Sequence, residues 1–514
     1  MSWKAEVDEI ERRRTLAREL GGAEAVSRQH ERGRLTIRER IEGLVDPDSF
    51  REQGPLAGHA ELDEQGRLRS FTAANYLLGL ARIDGRPCVI GGEDFTQRGG
   101  SPSPAGLRKS VFSEELAIRR RLPLVRFLEG GGGSVAGTGG GRSRPAPPPL
   151  SSEHRFSSIA RVLEIAPVVS AAVGAVAGFP AARLAASHLA LMMRKTSQVM
   201  IAGPAIVERA LGEERTKEEL GGAHVHVRSG VVDATADDEQ EIFALVRRFL
   251  AYLPTNVFSL PPVQPCDDEP DRREEELLEI IPRNRRRVYH MRRLLRHVLD
   301  CNSFFEMTAL YGRSQITGLA RLAGHPVGVL ANDPRFYAGA MGAEGAQKLR
   351  RFVELCDRFH LPIVSFVDEP GFMIGSASEA AGTIRYGVEA ISATVRSSVP
   401  WASVIVRKSY GVAAAAHFGP GGTLFTWPSA ESGALPIEGG VAVAFRREIA
   451  AAPDPDARRA ELEEEFARRR TPFPRAEAFA CHDLIDPRDT RRVLCDWLEW
   501  TWPGLSGLLP TETR

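Results

Sequence analysis

Two stretches of the chain share one hydrophobic pattern, in which an apolar run of strand length ends in an acidic residue and then in glycine. They read LPLVRFLEGGGG at 122–133 and LPIVSFVDEPG at 361–371, with Glu129 and Asp368 at matching positions. Apolar runs of this length, bounded by proline and glycine, are typical of buried strands. The pattern therefore predicts two equivalent strands in separate halves of the chain.

A second pair of apolar runs follows the first pair at equal spacing. Each runs from a proline to a glycine 11 residues later, from Pro167 to Gly178 and from Pro400 to Gly411. We interpret this as one α/β unit used twice, with two glycine-bearing loops at strand ends in each copy. Because glycine permits close approach to the main chain, backbone N–H groups in these loops can face a ligand.

The rest of the pattern predicts an arm, a boundary and two domains. Residues 3–45 are rich in Glu, Arg and Ala at helical spacing, and composition favours a plain solvated helix for residues 29–50. Asp84-Gly85 separates two strand-like runs, as in a hairpin. Proline and a charge run at 259–285 indicate a domain boundary. The predicted divisions are an N-terminal domain with the arm at 1–262, a linker at 263–285 and a C-terminal domain at 286–514.

Composition narrows the classes of function. The 514 residues are 43% hydrophobic and 26% charged, and 67 basic residues balance 67 acidic ones, so nucleic acid and membrane partners are not expected. The six cysteines lack C-x-x-C spacing, and no apolar leader or membrane-spanning run is present. We therefore expect a soluble cytoplasmic protein.

A metal site is not predicted. His224 and His226 alternate in a stretch interpreted as a strand, where they would lie on one side. Two such histidines can bind a metal, but no third ligand pattern lies nearby, so a structural role is favoured.

The usual catalytic motifs are missing, and this leaves the backbone as the candidate catalyst. No G-x-S-x-G elbow occurs, and the glycines of 130–141 do not fit a dinucleotide fingerprint. Two amides aimed at one carbonyl oxygen would stabilise an enolate or oxyanion, and loss of one such donor costs about 3 kcal/mol. The alternative is that these glycines only form tight strand-to-helix turns.

Several longer motifs carry a family resemblance across nearly the whole chain. They are QHERGRLTIRERI, DFTQRGGS, KEELGGAHVHVRSG, GFMIG, RKSYG, WP and DPRDTR, in that order. With them the chain resembles the carboxyltransferase (β) subunits of biotin-dependent acyl-CoA carboxylases, the propionyl-CoA and methylcrotonoyl-CoA carboxylase family. The resemblance implies an α/β fold of two crotonase-like domains in tandem.

The same resemblance implies a chemistry. Carboxybiotin, carried by a separate biotin carboxylase and carrier subunit, would release CO2, and the enolate of an acyl-CoA thioester would attack it. The family assembles as a homo-hexamer, a dimer of trimers, in which the first domain of one subunit faces the second domain of another.

The catalytic residues that the resemblance implies are main-chain donors. In the first domain they face the acyl-CoA carbonyl, and they are Gly132, Gly133, Gly178 and Phe179. In the second domain they face biotin, and they are Gly371, Phe372, Val412 and Ala413.

The chain departs from the family at positions close to this chemistry. Phe179-Pro180 stands where the family has Gly-Ala, Ser134 stands where it has arginine, and Ala415 stands where propionyl-type enzymes have an aspartate that selects short acyl groups. Proline has no N–H to donate. Alanine at 415 leaves more apolar room, which predicts a longer or branched acyl substrate.

Three functions therefore remain open. The first is an active carboxyltransferase with an unusual acyl-CoA substrate. The second is a decarboxylase or hydrolase that acts on a CoA thioester without biotin. The third is a non-catalytic subunit that keeps the fold and supports an active homologue.

Overall fold

The computed structural model describes residues 2–131, 156–285, 287–469 and 471–510, with only the backbone of residue 469. These residues form two compact units, Met1–Ser259 and Leu260–Arg514. Residues 263–285, predicted as a linker, group with the second unit, where Arg491 donates hydrogen bonds to the carbonyl oxygens of Asp268 and Glu269.

The first unit is built on an eight-stranded mixed sheet with a separate two-stranded hairpin. Its strands are β1 (Arg51–Glu52), β2 (Gly58–Leu62), β3 (Leu68–Ala73), β4 (Tyr76–Ile83), β5 (Arg86–Glu93), β6 (Leu124–Gly130), β7 (Val168–Ala177), β8 (Leu189–Met193), β9 (Gln198–Met200) and β10 (Ala234–Ala236). The main sheet has the order β1-β4-β5-β6-β7-β8-β10, with β9 also paired to β7, and β2 pairs with β3. From β5 to β10 neighbouring strands are parallel.

The helices of the first unit follow the predicted arm and the strand connections. They are α1 (Lys4–Arg18), α2 (Ala23–Glu31), α3 (Ile37–Leu44), α4 (Pro104–Arg120), α5 (Ser157–Ile165), α6 (Phe179–Ala185), α7 (Pro204–Leu211), α8 (Lys217–Gly221), α9 (Ala223–His226) and α10 (Glu239–Tyr252).

The second unit repeats the sheet. Its strands are β11 (Phe305–Met307), β12 (Gln315–Leu322), β13 (His325–Asn332), β14 (Ile363–Glu369), β15 (Trp401–Tyr410), β16 (Thr423–Thr426), β17 (Glu431–Gly433) and β18 (Asp483–Leu484). The order is β11-β12-β13-β14-β15-β16-β18, with β17 also paired to β15. From β13 onward neighbouring strands are parallel.

The helices of the second unit lie between these strands and at its end. They are α11 (Met291–Val298), α12 (Ala343–Arg358), α13 (Ser376–Ala380), α14 (Thr383–Arg396), α15 (Ile437–Ala444), α16 (Arg446–Ala451), α17 (Pro455–Arg469), α18 (Phe473–Glu477) and α19 (Thr490–Thr501).

The predicted duplication is confirmed, and the two units also share an irregularity in strand register. Strands β6 and β14 are buried at every position, which explains why their sequences are mostly apolar. Each shifts register against its parallel neighbour near its end, between Leu128 and Gly130 in one unit and between Val367 and Glu369 in the other. The shift falls at the same place in both aligned sequences, so the strand ends are re-aimed in the same way.

Two predictions about the first unit are wrong. The segment 29–50 is not a plain solvated helix, because Ile37, Ile41, Leu44 and Arg40 are all buried. Its apolar residues recur at i, i+4 and i+7, the spacing of a helix face that packs on a core.

The strand predicted around His224 and His226 is also wrong, because both residues lie in α9. A capping box at Thr216 and Glu219 starts the preceding α8 and commits this stretch to helix. His226 Nε2 lies 2.6 Å from the carbonyl oxygen of Val199, a structural contact. The described residues include no group of three His, Cys or carboxylate side chains that could hold a metal.

The predicted hairpin at Asp84-Gly85 is confirmed, because β4 and β5 pair antiparallel up to Ile83 and Arg86. None of the helices in the described parts of the chain has both the length and the hydrophobicity that a bilayer crossing requires.

Candidate active site

In the second unit, two glycine-bearing loops leave the same edge of the sheet. Strands β14 and β15 are parallel, and Glu369 pairs with Ser409 near their carboxyl ends. Gly371 and Gly411 each follow two residues later, so the two loops are neighbours. A Cβ atom built on Gly371 would lie 3.9 Å from the carbonyl oxygen of Tyr410. The structure thus brings together the predicted site residues of this unit.

The direction of the Phe372 amide follows from its peptide plane. The carbonyl of Gly371 accepts a hydrogen bond of 3.1 Å from the N–H of Met341, on the side of β13. In a trans peptide the C=O and the next N–H point in opposite directions, and the described chain has no cis peptide. The N–H of Phe372 therefore points away from Met341, and among the described residues it has no backbone acceptor.

The second loop presents the start of a short helix. Gly411 has φ 65° and ψ −164°, a conformation open to glycine, and a 3₁₀ helix runs from Val412 to His417. The first N–H groups of a helix have no intrahelical acceptor, which leaves those of Val412 and Ala413 available. Over the described residues neither has another backbone acceptor.

The first unit has the same arrangement as far as it is described. Gly130 pairs with Val176, so the chain after β6 and the chain after β7 leave one edge. Gly178, with φ 66° and ψ −128°, precedes α6, and its carbonyl accepts from the N–H of Ala182 at 3.1 Å. The N–H of Phe179, in the same peptide, therefore points out of the helix start.

The remaining site predictions of the first unit fall elsewhere. Gly132 and Gly133, together with Ser134, lie outside the described residues. Pro180 is buried in the first turn of α6, where its missing N–H costs the helix nothing. The helix therefore begins with one N–H, on Phe179, rather than two.

The ring of Phe179 packs against a side chain of its own helix and against Phe156, the residue before α5. It lies 4.5 Å from the guanidinium carbon of Arg183 and makes an edge contact, with centroids 5.5 Å apart, with Phe156. The ring is thus anchored by a cation–π contact as well as by an aromatic one.

Ala415 lies in the 3₁₀ helix of the second unit, and it is exposed while Ala414 and Ala416 on either side are buried. Its methyl group therefore faces outward from the unit, beside the available amides of Val412 and Ala413.

A buried charge network behind the first-unit loops escaped the sequence prediction. Glu129, at the end of β6, is fully buried and forms ion pairs with Arg40 at 2.5 Å and Arg34 at 3.0 Å. Arg40 also pairs with Glu239 at 2.7 Å, and Gln29 donates to Glu129 at 2.9 Å. Burial lowers the pKa of Arg40, but the two carboxylates outweigh this and raise it overall.

The matching acidic residue of the second unit has different partners. Asp368 accepts hydrogen bonds from the Tyr289 hydroxyl at 3.0 Å and from the N–H of Lys408 at 3.1 Å. Burial raises the pKa of Asp368 above its ordinary value, although Arg407 and Lys408 oppose the shift. The two acids therefore anchor their strand ends through unlike networks.

Comparison with known proteins decides the family. Residues 28–513 match the model of the carboxyl transferase domain. The chain belongs to the carboxyl transferase domain family. The match covers both units, and the predicted family resemblance is confirmed.

Three members of this family are particularly similar to the chain. It is 34% identical to the carboxyltransferase subunit of propionyl-CoA carboxylase from Haloferax mediterranei, over 96% of each chain. It is 32% identical to methylmalonyl-CoA decarboxylase subunit alpha from Veillonella parvula, over 93% of this chain and 92% of that one. The transcarboxylase 12S structure, with methylmalonyl-coenzyme A and methylmalonic acid bound, matches with a TM-score of 0.87 and 30% identity, covering 100% of this chain and 97% of that chain.

These relatives confirm the predicted fold, two crotonase-like domains in tandem, and the predicted class of enzyme. The chain is an acyl-CoA carboxyltransferase of the propionyl-CoA carboxylase and transcarboxylase type. Its departures from the family pattern, at Phe179, Pro180 and Ala415, all lie on or beside the loops that carry the available amides.

Proposed function

We propose that the chain is the carboxyltransferase subunit of a biotin-dependent acyl-CoA carboxylase. It moves a carboxyl group from carboxybiotin on a carrier protein to the α carbon, or the vinylogous carbon, of an acyl-CoA. Main-chain amides at the strand ends stabilise the negative oxygens that form during this transfer.

One observation carries the proposal: the available N–H groups at equivalent strand ends in the two units. In the first unit the described donor is the N–H of Phe179, which binds the thioester oxygen of the acyl-CoA as it becomes an enolate. The family resemblance adds Gly132 and Gly133, which lie outside the described residues. Donors fixed in direction by their peptide planes need no reorganisation when the charge forms.

In the second unit the donors are Phe372, Val412 and Ala413, and they bind the ureido oxygen of biotin. Biotin, when carboxylated, supplies the carboxyl group and a basic ureido nitrogen. The donor set suits this group, because a ureido oxygen is an acceptor and the two loops offer N–H donors. Gly371 has φ 122°, and among the described residues only the Tyr410 carbonyl lies near its missing Cβ, so the biotin ring can approach the main chain.

The proposed partners follow from the relatives. Transcarboxylase 12S is described as a hexamer and a multienzyme core. We propose the same assembly for this chain, a dimer of trimers in which each site combines the first unit of one subunit with the second unit of another. A biotin carrier and a biotin carboxylase then complete the enzyme.

The decisive experiment supplies the purified chain with an acyl-CoA and a carboxylated biotin carrier and follows the carboxylated CoA product by mass spectrometry. Wild type is expected to form product only when both substrates are present. The test variant is Gly411→Val, because valine cannot adopt the φ of 65° without strain. Its rate of carboxyl transfer should be lower by about 100-fold or more. Equal rates for wild type and this variant would refute the proposal.

A second candidate is favoured by one observation, the similarity to a methylmalonyl-CoA decarboxylase subunit over 93% of the chain. In this case the same amides stabilise the enolate left by loss of CO2 from a malonyl-type thioester. Loss of CO2 from methylmalonyl-CoA without any biotin would favour this function. A chain that is inactive in both assays yet joins the hexamer of an active homologue would be a non-catalytic subunit.

A further inference from the structure

A buried polar cluster lies directly beneath the two loops of the second unit. Glu369 is the last residue of β14, and His417 is the last residue of the 3₁₀ helix that begins at Val412. Both side chains are fully buried, and the His417 Nε2 atom lies 3.5 Å from Glu369 Oε2. Glu369 therefore leads directly into one loop and His417 ends the short helix of the other, and their side chains meet inside the unit.

Each oxygen of Glu369 has a separate task. Oε1 accepts the N–H of Gly371 at 3.0 Å and so holds the loop that carries the Phe372 amide. Oε2 accepts from the side-chain amides of Asn332 at 2.9 Å and Gln315 at 3.2 Å. The carboxylate thus ties the loop to β12 and β13 as well as to His417.

His417 is held equally firmly on the side of the helix. Its Nδ1 atom lies 3.0 Å from the hydroxyl of Ser365 in β14, and its carbonyl accepts from the hydroxyl of Ser403 in β15 at 2.7 Å. The imidazole therefore fixes the end of the helix whose first residues, Val412 and Ala413, carry the other available amides.

Burying a polar cluster of this kind carries a desolvation cost. Burial raises the pKa of Glu369, and the contact with His417 only partly offsets this shift. Apolar side chains of similar volume often give a core of equal or greater stability than a buried polar pair. Fully bonded polar clusters instead fix one geometry, which is what a pair of oxyanion-binding loops requires.

We propose that Glu369 and His417 are positioning residues, whose buried contact fixes the Phe372 amide relative to the amides of Val412 and Ala413. The inference rests on the proposed function, since it assigns these amides to biotin. Within the described residues, His417 is the titratable side chain that contacts Glu369. The neighbouring Asp368 is bonded to Tyr289 and Lys408. The rest of the cluster does not titrate: Gln315, Asn332, Ser365 and Ser403.

The first test measures catalysis with Glu369→Ala, His417→Ala and the conservative Glu369→Gln. The alanine variants should lower kcat by about 10- to 100-fold, as misplaced catalytic donors do, with the acyl-CoA KM within about twofold of wild type. Glu369→Gln keeps an acceptor for the Gly371 N–H, but its NH2 group replaces the oxygen that accepts from Asn332 and Gln315, so it should recover the rate only in part. Ser397→Ala is the matched control, because Ser397 is buried and bonds Trp401 at the opposite end of β15.

The second test does not depend on activity. Hydrogen exchange by mass spectrometry is compared for peptides covering 370–375 and 411–418. Glu369→Ala should accelerate exchange in 411–418 and His417→Ala in 370–375, while Ser397→Ala should change neither. If each residue had only a local structural role, exchange would be accelerated only in the peptide next to the substituted residue.

The outcomes separate the two proposals. If each alanine variant accelerates exchange in the opposite loop but the chain transfers no carboxyl group, the coupling between the two loops is supported and the proposed function is refuted. An active wild type whose alanine variants keep kcat within about twofold, or whose exchange changes stay local, would overturn the inference and leave the proposed function intact.

Discussion

At the scale of single residues, Ala415 is the side chain that the proposed function ties most directly to the choice of substrate. It is the outward-facing member of an otherwise buried alanine run, beside the available amides of Val412 and Ala413. The family resemblance assigns this position to acyl selection, and a methyl group leaves apolar room there. The sequence alone could identify the position, whereas its exposure required the structure.

We predict that Ala415→Asp shifts acyl preference toward short chains. The carboxylate would be desolvated by a longer acyl group, so kcat/KM for hexanoyl-CoA should fall relative to propionyl-CoA by about 10-fold or more, equivalent to about 1.4 kcal/mol or more. Ala415→Ser, which adds polarity without charge, is the size control. A wild type that prefers acetyl-CoA strictly would contradict the assignment.

Arg40 is the residue on which the strand end of the first unit depends. We predict that Arg40→Met lowers the free energy of unfolding by about 3–5 kcal/mol, because it leaves the buried Glu129 and Glu239 close together without this cation. Arg14→Met removes an exposed pair with Glu11, 2.7 Å long, and should cost less than about 1 kcal/mol. Denaturant unfolding followed by circular dichroism compares the two. Equal losses would mean that the network does not anchor β6.

At the scale of elements, the start of α6 decides how many donors the first unit offers. Pro180 occupies the first turn, so Phe179 is the residue whose N–H leaves the helix start. The sequence could predict that proline removes one amide. It could not predict the direction of the remaining N–H, which depends on the Gly178 carbonyl bonding to Ala182.

We predict that Pro180→Ala changes kcat by less than about threefold, because the donor is the N–H of Phe179 and is already present. Thermal unfolding should also move little, since a proline in the first turn needs no N–H bond. A rise of about 100-fold, the usual effect of one oxyanion donor, would instead locate the donor at residue 180. The measurement is the rate of carboxyl transfer by Pro180→Ala and wild type, with Phe179→Gly assayed alongside.

The strands that the sequence predicts most directly are those buried along most of their length. Strands β6, β7, β14 and β15 are largely apolar because both faces are covered along most of their length, so the sequence pattern predicts them. The α9 helix was missed because His224 and His226 alternate as in a strand, and only the capping box upstream reveals the helix. Buried charges such as Arg40 were missed because tertiary pairing with Glu129, distant in sequence, makes their burial tolerable.

At the scale of the whole molecule, buried acids make stability depend on pH. Burial raises the pKa of Glu93 above its ordinary 4.5, despite nearby Arg183 and Arg126. A carboxyl with a raised folded-state pKa binds more protons when folded, so its contribution to stability is complete below pH 4.5 and is lost as pH rises through the raised value.

We predict that Glu93→Gln weakens this pH dependence. Its amide oxygen can still accept the N–H of Glu129, which Glu93 bonds at 3.3 Å, but it carries no proton to lose. The fall in melting temperature from pH 4.5 upward should be shallower in the variant than in wild type. Glu61→Gln, at an exposed strand position, should leave the profile unchanged. Parallel profiles for wild type and Glu93→Gln would contradict the assigned shift.

The duplicated architecture allows two ways of building one site, from both units of a single chain or from units of two different subunits. The chain repeats one sheet, one register shift and one pair of loops, and the proposed reaction needs an acyl-CoA site and a biotin site together. If a site combines the first unit of one subunit with the second unit of another, two differently damaged chains can repair each other. Gly178→Val damages only the first unit and Gly411→Val only the second, since both glycines have positive φ.

We predict that each variant alone is inactive and that the two, unfolded and refolded as an equimolar mixture, recover about a quarter of the wild-type rate. Random assembly gives each site an intact first unit in half of cases and an intact second unit in half. Carboxyl transfer by the refolded mixture is the measurement, and refolded wild type corrects for yield. Variants mixed without unfolding should stay inactive if subunits do not exchange. No recovery after joint refolding, with hexamers present, would mean that each site is made by a single chain.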